Sequence, residues 1–173
     1  KQALSRHEAL DQKGGAAGVR GDIAYVYEKK GEYETAFQYC LESLHQYQQF
    51  KEKEKVTELT LLLAQIQRDL KRFTDELESA QKAKQLAMEQ NWNNMLWATL
   101  LEEGKAYKEL AEPEKALASF KESVQVVESV RTQVPGTETA APYFFQSMTE
   151  PYYELIQLLV AQNRINDAFK YAE

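Results

Sequence analysis

Ile23-Ala24-Tyr25-Val26-Tyr27-Glu28-Lys29-Lys30-Gly31-Glu32-Tyr33-Glu34-Thr35-Ala36-Phe37-Gln38-Tyr39-Cys40-Leu41-Glu42-Ser43-Leu44 decides the architecture of this 173-residue chain. Small and aromatic residues recur at helical spacing on both sides of Gly31: Ala24 and Tyr27 before it, Ala36, Cys40 and Ser43 after it. Residues three or four apart share one face of a helix, so the stretch predicts two helices joined by a short turn. Gly31 suits the end of the first, because glycine accepts a left-handed backbone without steric cost. Small side chains mark where the paired helices come closest, and the aromatic fills the gap towards the next pair.

The pattern repeats. Forty residues on stand Leu63, Ala64, Lys71, Phe73, Glu76, Ala80 and Ala83, a degenerate copy. Another forty on, Gly104, Tyr107, Ala111, Pro113, Ala116, Phe120 and Ser123 restore it, with Pro113 placed to open a helix. A fourth copy follows after a further fifty-two: Ile156, Leu159, Asn163, Ile165, Ala168 and Ala172. The arrangement closely resembles the tetratricopeptide motif. That resemblance implies an all-α fold, a right-handed superhelical stack of antiparallel helix pairs that holds other molecules. The spacing exceeds the usual ~34 residues, which lengthens the helices by about a turn.

The repeats are read as 17–50, 54–90 and 93–132, with residues 1–13 as the end of an earlier one. Gly14-Gly15 is expected to break that first helix, and Gly18-x-x-Gly21 to lie between helices. Residues 133–142 hold Pro135 and Pro142 and are expected to form a loop. Residues 143–173 form an incomplete final repeat, in which Tyr143-Phe144-Phe145 are expected to fold onto the stack. Pro151 either starts or kinks the next helix. The chain is expected to be a segment of a longer protein.

The last third also resembles a narrower group: the array that precedes the CHAT domain, a caspase-like protease of bacterial multidomain proteins. The resemblance rests on Arg131, Tyr143-Phe144-Phe145, Tyr153-Glu154-Leu155-Ile156, Leu158-Leu159 and Ala168 to Glu173. Val160 and Pro151 depart from that pattern. It implies a downstream protease in the same parent chain, with this array sensing a partner. A peptide-binding adaptor or signalling sensor with no linked protease is the alternative.

Composition narrows the remaining classes. A 43% hydrophobic content supports a continuous core, and seven Gly and four Pro leave long helical runs. The net charge of −6 comes without a basic block, which argues against nucleic acid. Lys51-Glu52-Lys53-Glu54-Lys55 alternates in sign and reads as a solvated face. No apolar run approaches the ~18 residues needed to cross a bilayer, and the single Cys40 fits a reducing, cytoplasmic setting.

No constellation for chemistry emerges. Cys40 and His45 lie five apart on one helix, about 500° of rotation at ~100° per residue, and so diverge. One thiol with His7 and His45 is too few ligands for a closed zinc site. No Gly-rich loop joins a strand to a helix, so no phosphate cradle forms. The chain is expected to have no enzyme activity, cofactor or metal.

Partners of stacked helix pairs lie along the first helix of each pair. The register places Tyr25 and Glu28, then Leu61, Gln65 and Arg68, then Leu101, Lys105 and Lys108, then Tyr153 and Gln157 on that face. The expected partner is a protein or peptide, with no nucleic acid or membrane. Tetratricopeptide domains that grip chaperone C-termini use Lys and Asn on this helix; Gly21, Tyr25, Leu61 and Gln65 stand there instead. Trp97 is expected to pack between repeats and Trp92 to be partly covered.

Overall fold

Leu, Ala, Gln, Glu and Lys fill runs of 17 or 18 residues between turns, and such side chains lose little freedom in a helix. The computed structural model accordingly contains α1 (Gln2–Lys29), α2 (Tyr33–Phe50), α3 (Lys53–Asp69), α4 (Phe73–Glu89), α5 (Asn93–Glu109) and α6 (Pro113–Gln133). Further along, the described residues form a 3-10 turn (Ser147–Thr149), α7 (Glu150–Ala161) and α8 (Ile165–Phe169). The structure describes the backbone of residues 2–133 and 147–172, with side chains within 15–132 and 148–172. The expected 133–142 loop and Tyr143-Phe144-Phe145 lie essentially outside the described residues.

The turns share one construction. Gly31, Lys51, Lys71, Asn91, Ala111 and Asn163 all have φ between 51° and 79°, and the first five are spaced twenty apart. The next residue donates its N–H to the carbonyl five positions back: Glu32 to Tyr27 at 2.9 Å, Arg72 to Gln67 at 2.8 Å, Glu112 to Tyr107 at 2.8 Å, Arg164 to Leu159 at 2.8 Å. The carbonyl of that same residue accepts the first backbone hydrogen bond of the following helix, as Glu32 does from Ala36 at 3.0 Å and Glu112 from Ala116 at 3.0 Å. One residue thus closes one helix and opens the next, in the Schellman manner. A left-handed backbone costs a non-glycine residue about 1–2 kcal/mol, so Lys51, Lys71 and Ala111 are held there by what the turn connects.

Two expectations about glycine are corrected. No break occurs at Gly14-Gly15, and Gly18 and Gly21 lie inside a helix, because α1 continues from Gln2 to Lys29. Glycine costs a helix interior roughly 0.5–1 kcal/mol, which weakens a helix without ending it. At Gly18 and Gly21 the missing side chain also has a use. A Cβ on Gly18 would stand 3.3 Å from the Tyr47 hydroxyl, and one on Gly21 3.3 Å from both Leu59 Cδ2 and Ser43 Oγ. Pro151 lies in the first turn of α7 and starts it without a kink.

Contacts divide the chain into two compact units, residues 1–86 and 87–173. In the first, α1 packs on α2 and α2 on α3 around Ala24, Ala36, Cys40, Leu44, Leu59, Leu63 and Ile66. Ser43 Oγ donates to the Ala17 carbonyl at 2.7 Å and ties α2 to α1. With its amide nitrogen turned to the acceptors, Gln67 on α3 reaches the Asp75 carbonyl at 3.1 Å and Ser79 Oγ at 2.7 Å on α4. Arg72 pairs with Glu34 at 2.9 Å and lies 5.0 Å from the Phe37 ring centroid.

In the second unit, α5 packs on α6, α6 on α7 and α7 on α8. Its core holds Leu101, Ala116, Leu117, Phe120, Val124, Leu155, Leu159 and Ala168. Ser123 Oγ donates to the Trp97 carbonyl at 2.7 Å, the same bond as Ser43 to Ala17 shifted by eighty residues. Gly104 stands where the first repeat has Ala24, and Phe120 where it has Cys40; the ring occupies the volume the glycine vacates. Trp97 packs against this core and against the small cluster of Val127, Val130 and Met148. Trp92 is half-buried at the start of α5.

Candidate binding cleft

Gly18 and Gly21 thin α1 along one side and bring it near the start of α3. A cleft of about 480 Å³ lies there in the first unit. Its α1 wall presents Gly18, Gly21, Asp22 and Tyr25; its α3 wall presents Lys55, Glu58, Leu59, Leu61, Leu62 and Gln65; Ser43 and Tyr47 of α2 also line it. Leucines supply apolar contact, and Asp22, Tyr25 and Gln65 add polar groups beside the Lys55–Glu58 ion pair, the mixture usual in ligand clefts. Lys55 Nζ lies 2.6 Å from Glu58 Oε2, and that hydrogen-bonded carboxylate raises the lysine above its ordinary pKa. Tyr25 is 53% exposed at the mouth, with Lys29 Nζ 5.1 Å from its ring centroid.

Three of the sequence-predicted residues, Tyr25, Leu61 and Gln65, therefore meet in one cleft. Glu28 does not join them: it is largely buried and paired with Lys29 at 3.1 Å, the contact that raises the Lys29 pKa. Arg68 is half-buried beside Asp69 at 3.7 Å. Asp22, Tyr47, Lys55 and Glu58 complete the cleft without having been expected. The available signals were that Lys55 and Glu58 stand one turn apart and Asp22 one turn before Tyr25. Lys55 belongs to the charge run read as a solvated face, and all five of its residues are exposed, Lys55 at the edge of the cleft.

The second unit gathers another set. Lys105 Nζ pairs with Glu150 at 2.6 Å, and Lys108 Nζ with Glu154 at 2.7 Å, both joining α5 to α7. Tyr153, at 63% exposure, and the exposed Gln157 share that face of α7, since 150, 153, 154 and 157 recur at helical spacing. The two lysines are thus engaged within the unit. Leu101 is a correction: at 4% exposure it belongs to the core, because its side of α5 turns towards α6.

Burial pushes the Cys40 thiol up to about 12, and its Sγ lies 3.4 Å from the Leu59 carbonyl. A thiol so held is protonated at neutral pH and is a poor nucleophile. Among the described residues no group of three His, Cys, Asp or Glu could hold a metal ion, and no helix is long and apolar enough to cross a membrane.

Solved structures share this arrangement of helix pairs. The fold is the tetratricopeptide-type helical repeat. Aspartyl phosphate phosphatase F from Bacillus subtilis matches with a TM-score of 0.80 at 18% identity, over 92% of this chain and 39% of that one. The apo form of RapI matches with a TM-score of 0.76 at 18% identity, over 90% and 52%. A Rap protein complexed with Competence and Sporulation Factor gives 0.77 at 15% identity, over 91% and 41%. The chain therefore spans about half, or less, of the length of these three proteins. No family model and no curated protein matches it.

Proposed function

We propose that this chain is a non-catalytic interaction module that holds an extended peptide, or a peptide-like segment of a protein, in the cleft between α1 and α3. The supporting observation is that cleft itself, with Tyr25, Leu61 and Gln65 beside Asp22, Lys55 and Glu58. Its apolar floor suits a side chain of a bound segment, and its amide and hydroxyl groups suit main-chain hydrogen bonds. One structure of the same fold is a complex with Competence and Sporulation Factor, which supports a ligand held by such repeats. The same reading places the module in the cytoplasm.

A narrower reading makes the module the regulatory array of a CHAT-type protease. It rests on the resemblance of residues 131–173, and translating the source gene downstream of Glu173 tests it.

The test of binding is a library of short fluorescent peptides screened by anisotropy against the chain. Ligands are expected whose affinity falls about tenfold or more, roughly 1.4 kcal/mol, in Tyr25→Ala and in Gln65→Ala. Both positions are at least partly exposed, so helicity should not change. Ligands whose affinity ignores both substitutions would remove the cleft from the proposal.

A further inference from the structure

In the second unit the first helices of neighbouring pairs, α5 and α7, are fastened by lysines. Lys105 Nζ lies 2.6 Å from Glu150 Oε1 and 3.9 Å from Glu102 Oε2, with only 15% of its side chain exposed. Two carboxylates, one from each side of the seam, thus enclose one cation. One turn further along, Lys108 pairs with Glu154.

The first unit has the same seam between α1 and α3. Two repeats earlier, eighty residues back on α5 and ninety-two on α7, Glu102 becomes Asp22, Glu150 becomes Glu58 and Lys105 becomes Tyr25. Both carboxylates are kept, while the lysine between them is replaced by an uncharged ring. Lys108 and Glu154 become Glu28 and Leu62, and Glu28 is buried and turned to Lys29 at 3.1 Å. Asp22, Tyr25, Glu58 and Leu62 all line the cleft of about 480 Å³; the seam that lysines fasten in the second unit is open in the first. Two carboxylates and one ammonium line it, and that ammonium, Lys55, is committed to Glu58 Oε2 at 2.6 Å. One negative charge is left over.

We infer, on the peptide-holding reading above, that the segment held in the cleft carries a lysine or arginine whose cation seats between Asp22 and Glu58, as Lys105 seats between Glu102 and Glu150. A basic side chain lays its aliphatic stem along apolar surface and keeps its charged head in polar surroundings, which matches Leu59, Leu61 and Leu62 beside the two acids. An apolar or acidic residue in the same place would cover Asp22 without offering it a partner, a cost that a charge-assisted hydrogen bond removes.

Two pools of fluorescein-labelled short peptides, identical except that one position is Lys or Arg in the first and Gln or Glu in the second, test this by anisotropy against the 173-residue chain. Binders are expected from the basic pool, with affinity falling about tenfold or more in Asp22→Asn and in Glu58→Gln, the scale of one hydrogen bond to a charged group. Lys55→Gln, which removes the competing ammonium, should raise the affinity. Glu122→Gln neutralises an exposed carboxylate of α6 and should leave it unchanged, which separates a seat in the cleft from general attraction to an acidic chain. Circular dichroism verifies that each variant folds, and either acidic variant alone suffices. Binders from the second pool that weaken in Tyr25→Ala and Gln65→Ala but not in Asp22→Asn would overturn the inference and leave the cleft reading standing. Binders from neither pool would overturn both. An affinity that drops in Lys55→Gln, or as far in Glu122→Gln as in Asp22→Asn, would also overturn the basic residue.

Discussion

Gly104→Ala should destabilise the second unit although alanine is the better helix former. A Cβ at this position would stand 2.4 Å from Phe120 Cε1 and 2.5 Å from Cδ1, whereas carbon atoms prefer roughly 3.5–4.0 Å. The ring cannot simply withdraw: Phe120 is fully buried, in a core with Leu101, Ala116, Leu117, Val124, Leu155 and Leu159. Overpacking of this kind costs ~1–3 kcal/mol, and an overlap above 1 Å belongs at the upper end. Replacing a helical glycine returns up to ~1 kcal/mol, leaving a net loss of about 2 kcal/mol. Guanidinium unfolding followed by tryptophan fluorescence reads it, because Trp92 and Trp97 both lie in residues 87–173. The cause is isolated by a second background. Phe120→Cys recreates the first repeat's pairing of Ala24 with Cys40, and there Gly104→Ala should become neutral or stabilising. Gly15→Ala, with nothing within 4 Å of the new Cβ, should stabilise in either background. Equal destabilisation by Gly104→Ala with and without Phe120 would refute the reasoning.

Two further expectations concern the turns and the thiol. Ala111→Gly should raise stability by ~0.5–1 kcal/mol, since it relieves a left-handed alanine at some cost in unfolded-state entropy, while Gly31→Ala should lower it by ~1 kcal/mol; chemical denaturation of both variants checks the opposite signs. Cys40, its thiol pushed up to about 12 by burial, should react with iodoacetamide far more slowly in the native chain than in urea at pH 8. Because its native value lies above the unfolded one, its contribution to stability is complete below the unfolded pKa of about 8.5 and is lost as pH rises through 12. Cys40→Ala should flatten that part of the alkaline profile.

The placement of the cleft shows how much a register can say. Tyr25, Leu61 and Gln65 were legible as one face because residues equivalent by a forty-residue shift occupy equivalent sides of equivalent helices. Leu101 obeys the same shift from Leu61, and both are buried, at 4% and 7% exposure, but only Leu61 borders the cleft. The register specifies which side of a helix a residue takes, but how deeply that side is covered depends on the neighbours in each repeat. Lys105 and Lys108, expected on the same face, are instead engaged by Glu150 and Glu154, from a helix more than forty residues away.

By itself the sequence determined the helix pairs, their turns and the small positions between them. These follow from local periodicity and from glycine and small side chains at fixed offsets, which act within a few residues. Only the tertiary structure decided that α1 runs through Gly14 and Gly15, that Lys51, Lys71 and Ala111 take a glycine's backbone, and that Gly104 exists for Phe120. Each of these sets a local cost of a kcal/mol or so against contacts with residues distant along the chain. Local patterns cannot weigh such contacts, because their strength depends on distances that exist only once the helices have packed.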